Sequence, residues 1–251
     1  MFHRRAGLPD DWYDIALRSF GHWHELDDDE RAQLGDDADW LLRHKSWEAA
    51  HGFALSDEMR TVVALEAALL ILGLGTDHYR EVGAVIMFPT TIASSGVRAG
   101  PVPGTVSDGV LPVLGEAHSR RGPVLIAWDE ARRDAGRPGQ GHNVVLHEFA
   151  HKLDMLDDLI DGTPPLPGRA ELRRWVEVCT PIYTDMRAGA DRPPLQPYGA
   201  TSTGEFFAVA TEAFFEAPAE LQHHEHDLYD ILRDFYHQDP ARRAGSGSFS
   251  G

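Results

Sequence analysis

One cysteine, Cys179, is the only thiol in this chain of 251 residues, so no disulfide can close within it. It falls in a helix-like run, where a lone Cys is most simply a small buried apolar residue. Basic residues are scarce: 23 Lys and Arg stand against 40 Asp and Glu, for a formal net charge of −17. That balance argues against unassisted binding to nucleic acid or to an anionic membrane, since both need a cationic face. Long apolar runs are also missing; the longest, Val62 to Leu74, contains Glu66 and is too short to span a bilayer. Met1 to Asp10 carry no apolar core of signal-peptide length, which makes a cytoplasmic location the default expectation. No Gly-rich phosphate loop follows a strand-like run, and no nucleophile elbow is recognisable. The remainder, 42% hydrophobic and 25% charged, is ordinary for a globular chain with one sizeable core or two small ones.

What is present is His147-Glu148-Phe149-Ala150-His151, which reads H-E-x-x-H. On a helix, residues four apart share a face, so both imidazoles reach one ion. Glu148 points to nearly the same side and can deprotonate a water without being a ligand. Two imidazoles, a carboxylate and an open position suit zinc. Asn143 can cap this helix, and Val144, Val145, Leu146, Phe149, Leu153 and Leu156 make it apolar almost all round. A buried helix is therefore expected at about 143–157, and buried histidines need partners.

Around it, Asp10 to Phe20 and Asp27 to Trp47 read as broken amphipathic helices. Ser56 caps a strong core helix that Gly73 and Gly75 end. From about Val82 the pattern changes. Ala84 to Phe88, Val110 to Leu114 and Val124 to Trp128 are short strand-like runs separated by Gly and Pro. The last of these, nearest in sequence to the signature helix, is expected to be a strand beside the cleft, where an extended substrate can pair. Further helices are expected near Ala170 to Cys179, Gly204 to Glu216 and Asp227 to Tyr236. Ala244 to Ser248 has flexible-linker composition. The expectation is an α+β fold with a small mixed sheet. One domain covers 1–240, with a helical layer over 1–80 and the catalytic core over 81–240, and a disordered tail follows at 241–251.

Two histidines need a third ligand, and three carboxylates compete for that place. Asp157 has the spacing of metzincin-type sites, but Asp154 stands where a Gly must let the chain turn away, so a continuing helix carries Asp157 past the metal. Glu205 and Glu212 lie seven residues apart, two helical turns, and share one face. Ser202-Thr203-Gly204-Glu205 is also a capping box, in which Glu205 reaches back to the backbone of Ser202. Residue chemistry leaves cap and ligand open for Glu205. It also leaves Glu212 open as ligand, histidine acceptor or core-edge carboxylate. Asp154 can fix a histidine tautomer or cap the helix end. His223-His224-Glu225-His226 reads as a solvated turn, His22, His24 and His44 as surface or satisfied core residues, and Phe206, Phe207, Phe214 and Phe215 as core packing.

The chain resembles the titration factor A family of bacterial zinc metallopeptidases, glucose-regulated proteins named for sequestering the Mlc repressor. The resemblance is carried by Lys45-Ser46-Trp47-Glu48, Ser56-Asp57-Glu58-Met59-Arg60, Leu69 to Leu74, Gly122-Pro123-Val124, His147 to Asp154, Glu205-Phe206-Phe207-Ala208-Val209 with Glu212, and Phe235 to Pro240. It thus runs to about Pro240. The family's core is similar to the lethal-factor group of gluzincins, which implies a zincin-like fold. It implies Glu205 as third ligand and Tyr198, seven residues before it, as an oxyanion donor; Glu212 is then assigned as an acceptor for a histidine N–H. One zinc ion per chain, Glu148 as general base and aminopeptidase-like action on small peptides follow as expectations. The rival is a regulatory protein that binds and sequesters a transcriptional repressor, with peptidase activity secondary.

Overall fold

The computed structural model describes residues 7–50, 52–90, 121–157 and 160–246. Polar residues set the starts of the N-terminal helices. Helix α1 is Trp12–Ser19, and a 3₁₀ turn, Gly21–Glu25, follows it. Helix α2, Asp28–His44, opens with a complete capping box, Glu30 N donating to Asp27 Oδ1 at 2.8 Å and Asp27 N to Glu30 Oε2 at 3.0 Å. Ser56 caps α3, Asp57–Ile71, by accepting from Met59 N at 3.2 Å. Every residue from Thr61 to Ile71 is buried, so α3 is a central helix wrapped on all sides.

Three short strands form a parallel sheet in the order β1 (Ser46–Ala49), β2 (Ala84–Phe88), β3 (Val124–Ala127). Trp47 pairs with Val85 and Val85 with Val124. The sheet is thus parallel, not mixed, among the described residues. Parallel strands need covered faces, and β3 is buried at all four positions. β1 corrects the reading of 1–80 as wholly helical. Nothing in Ser-Trp-Glu-Ala announces a strand; pairing with β2 extends it. The chain leaves α2 at Lys45, whose Nζ donates to Tyr79 O at 2.5 Å and lies 4.5 Å from the Trp40 ring centroid. The strand expected at Val110 to Leu114 lies outside the described residues.

β3 ends one residue short of expectation, because Trp128 opens helix α4, Trp128–Ala135. Helix α5, Val144–Asp154, carries the H-E-x-x-H residues and relaxes into a 3₁₀ turn, Met155–Asp157. Helix α6, Arg169–Arg187, runs past the expected end at Cys179 and through Pro181, while Cys179 itself is buried as anticipated. A 3₁₀ turn, Pro197–Ala200, leads to α7, Thr203–Glu216. Helices α8 (Pro218–His224) and α9 (His226–Tyr236) meet at Glu225, so the histidine-rich segment is an exposed break between helices.

The expected tail corrects to a helix over part of its length. α10 spans Pro240–Ser246, with Pro240 at a helix start, where its missing N–H costs nothing. Arg243 ties it down, donating from Nε to Glu30 Oε1 at 2.9 Å and from Nη1 to Gln238 Oε1 at 3.1 Å. One apolar cluster runs from Leu8 through α3, α5 and α7 to Tyr236. No helix among the described residues is long and apolar enough to cross a membrane.

Candidate metal centre

Two helices bring the site together. α5 is capped by Asn143, whose Oδ1 accepts from Val145 N and Leu146 N, both at 3.1 Å. It packs along α7, which Ser202 caps by accepting from Glu205 N at 3.2 Å. Across this contact the Nε2 atoms of His147 and His151 face one oxygen, Oε2 of Glu205, at 3.1 and 3.5 Å. One ligand atom from each of the three lies within 4.8 Å of the others. A small divalent ion about 2.1 Å from tetrahedral ligands sets them about 3.4 Å apart, so the observed separations fit such an ion.

The capping alternative for Glu205 resolves in a split way. Its backbone N–H serves the Ser202 cap, while its carboxylate turns to the histidines instead of back to Ser202. Burial alone would raise this carboxyl, but the facing histidines outweigh burial and hold it down at about 2. Glu212, two turns on, accepts from His147 Nδ1 at 3.0 Å through Oε2 and from Asn143 N at 2.9 Å through Oε1. His147 is thus clamped at both ring nitrogens. Burial works against its protonated form, yet the Glu212 and Glu205 carboxylates raise it well above the usual imidazole range.

Glu148 lies among the same groups. Burial raises its carboxyl, and the neighbouring His147 and His151 oppose that shift. The Tyr198 ring centroid is 6.2 Å from that of His147, and its Oη is buried. Burial, with the Glu205 carboxylate close by, pushes the phenol above its ordinary range, so it stays a donor. Its turn docks on α7 through Gly199, where a Cβ would sit 3.2 Å from Val209 Cβ. Asp154 makes no hydrogen bond to a histidine among the described residues. Its two oxygens accept from Gly162 N at 2.9 and 3.2 Å, which ties the end of α5 to the following loop. Burial raises its carboxyl to about 6. The side chain of Asp157 lies outside the described residues.

A cavity of about 110 Å³ adjoins His147 and is lined by His142, Val144, Gln196, Tyr198, Val209 and Glu212. His142 and Gln196 were not anticipated: His142 sits before the cap in an unpatterned loop, and Gln196 is adjacent only through the turn. A larger cavity of about 460 Å³ lies between α6 and α9, and neither His147 nor His151 lines it.

The sequence profile described as "Glucose-regulated metallo-peptidase M90" matches residues 2–237. An uncharacterised protein of Synechocystis sp. is 33% identical over 236 residues, covering 93% of this chain and 86% of that protein. The protein named Mlc titration factor A is 29% identical in Serratia proteamaculans, over 87% of this chain and 84% of the relative. In Pectobacterium atrosepticum it is also 29% identical, over 88% and 84%. A profile match across almost the whole length, around a site whose donors fit a metal, places the family beyond doubt of chance: the chain belongs to the glucose-regulated metallo-peptidase family M90.

Proposed function

We propose that the chain is a zinc-dependent peptidase of aminopeptidase-like action, with His147, His151 and Glu205 as ligands, Glu148 as general base and Tyr198 as oxyanion donor. The observation that carries this reading is the convergence of two imidazole Nε2 atoms and one carboxylate oxygen beside a Glu that is not part of the trio. Zinc held there would supply Lewis acidity and lower the pKa of water to about 7. Glu148 takes a proton from the attacking water as its oxygen bonds to the peptide carbonyl carbon. The carbonyl oxygen gains charge, and the Tyr198 O–H, whose ring lies beside that of His147, donates to it. As the C–N bond breaks, Glu148 returns the proton to the leaving amine. Glu212 fixes the His147 ring throughout by accepting from Nδ1.

Hydrolysis of matched peptides with free and acetylated amino termini, in zinc-loaded and chelator-treated protein, tests this. Zinc-dependent release of the first residue from free-amine peptides alone is expected. Equal cleavage of blocked peptides overturns the aminopeptidase specificity, and no zinc-dependent cleavage of any peptide overturns the enzyme. A second reading draws on the name Mlc titration factor A carried by relatives: sequestration of a transcriptional repressor. If chelation abolishes hydrolysis and leaves repressor binding intact, the two roles are separate.

A further inference from the structure

We propose that His22, from the N-terminal 3₁₀ turn, is a positioning residue for the metal centre, acting through Glu216 and Asn143 on the carboxylate that orients His147. This rests on the metal-centre reading above. The connection is continuous. His22 Nε2 meets Glu216 Oε1 at 3.2 Å, and Asn143 Nδ2 donates to the same oxygen at 3.0 Å. Asn143 N donates to Glu212 Oε1 at 2.9 Å, and the other oxygen of Glu212 accepts from His147 Nδ1 at 3.0 Å. Exposure along this chain is 3% at His22, 3% at Glu216, 0% at Asn143, 1% at Glu212 and 5% at His147, so water cannot replace a lost member.

Asn143 is the joint. Its Oδ1 accepts from Val145 N and Leu146 N in the first turn of α5, and its Nδ2 is shared between Glu216 and Glu66 Oε2 at 3.0 Å, so its amide has one orientation. Glu216 spends its other oxygen on Gly139 N at 2.8 Å. Two buried acidic side chains therefore meet one neutral amide, and His22 lies within hydrogen-bond reach of Glu216. Burial opposes a charged His22, but Glu216 and then Glu25, 3.0 Å from Nδ1, hold it protonated. Removing His22 takes from the buried Glu216 side chain its ion-pair partner among the described residues, and breaking a buried pair is strongly unfavourable. Glu216 must then move, and Asn143 and Glu212 with it.

The backbone is shaped for this approach. A Cβ on Gly21 would fall 2.2 Å from Pro138 Cδ and 3.2 Å from Ala135 O. Only a glycine lets the turn seat on the segment leading to Gly139, one residue from His22.

The test uses the full chain and zinc itself. Zinc affinity is read by competition with a chromophoric chelator, and the His147 ring nitrogens by long-range ¹H–¹⁵N NMR of metal-free protein. His22→Leu is expected to weaken zinc binding about 10-fold and to shift the His147 Nδ1 resonance. Gly21→Ala changes no polar group and is expected to move both readouts in the same direction. Leu34→Ala, a buried truncation in α2 outside the array, is expected to lower Tm and leave both unchanged. If His22→Leu does not fold, His22→Gln, which keeps a donor without the charge, makes the same comparison. Folded His22→Gln and Gly21→Ala proteins with wild-type zinc affinity and an unshifted His147 signal overturn the inference while leaving the metal reading intact. Wild-type protein that binds no zinc overturns both.

Discussion

At Glu205 one residue serves two local demands, because backbone and side chain point different ways. Its N–H completes the Ser202 cap, and its carboxylate meets both imidazoles. Glu205→Gln is expected to keep α7 capped and lose most zinc affinity, whereas Glu212→Gln loses only the brace on His147, about 10-fold to 100-fold. If Glu212→Gln empties the site and Glu205→Gln does not, the ligand proposal is wrong by two helical turns. Glu148→Gln is expected to hold zinc normally and to lose at least about 100-fold in turnover. Tyr198→Phe is expected to hold zinc and lose roughly 100-fold in kcat. Metal content measured beside peptide hydrolysis separates these effects; substantial turnover in zinc-loaded Glu148→Gln would remove Glu148 from the base role.

Among elements, the α5–α7 pair is fastened at the far end by Gly162. Its N–H meets Asp154, its carbonyl accepts from Trp175 Nε1 at 3.1 Å, and φ is +77°. A Cβ there would lie 2.2 Å from Thr203 O, at the first residue of α7. Gly162→Ala is therefore expected to cost on the order of 1–3 kcal/mol and to weaken zinc binding, since Thr203 is displaced two residues from Glu205. Ser202→Ala loses only a cap, about 1 kcal/mol. Thermal denaturation with zinc titration checks both, and an unchanged Tm in Gly162→Ala would refute the clasp. Caps and apolar faces made α3, α5 and α7 legible in the sequence, because Ser56, Asn143 and Ser202 act over three residues. β1 was not legible, because its four residues become a strand only where β2 offers hydrogen bonds. α10 was not legible either, because Arg243 finds Glu30 more than two hundred residues away.

For the whole molecule, buried charge couples stability to pH. His22 stands at about 10, above its ordinary 6.5, so its favourable contribution is complete below pH 6.5 and declines as pH rises toward 10. Burial raises Glu66 from its ordinary 4.5 to about 8, so the contribution of its protonated form is complete below pH 4.5 and is lost as pH rises toward 8. Burial lowers Lys45 and Lys152 to about 8, which works in the opposite sense above that pH. Chelator-treated protein is therefore expected to lose Tm between pH 6.5 and 8, with the decline flattening above 8. A Tm that rises across pH 6.5 to 8 would contradict this.

The sequence by itself determined what local spacing can encode: the H-E-x-x-H face, the three caps, the apolar helices around them and the turn residues between. These depend on neighbours within a turn or two, so their chemistry is written in adjacent letters. Through family resemblance it also pointed to Glu205 and Tyr198. Only the tertiary structure decided which way the Glu205 carboxylate turns, because cap and ligand geometries share the same residues and differ only in what stands opposite. It decided too that His22, Glu66, Asn143 and Glu216 form one buried array. Those four come from separate segments, and each alone reads as an ordinary polar residue; burial and charge compensation join them only once the chain has packed.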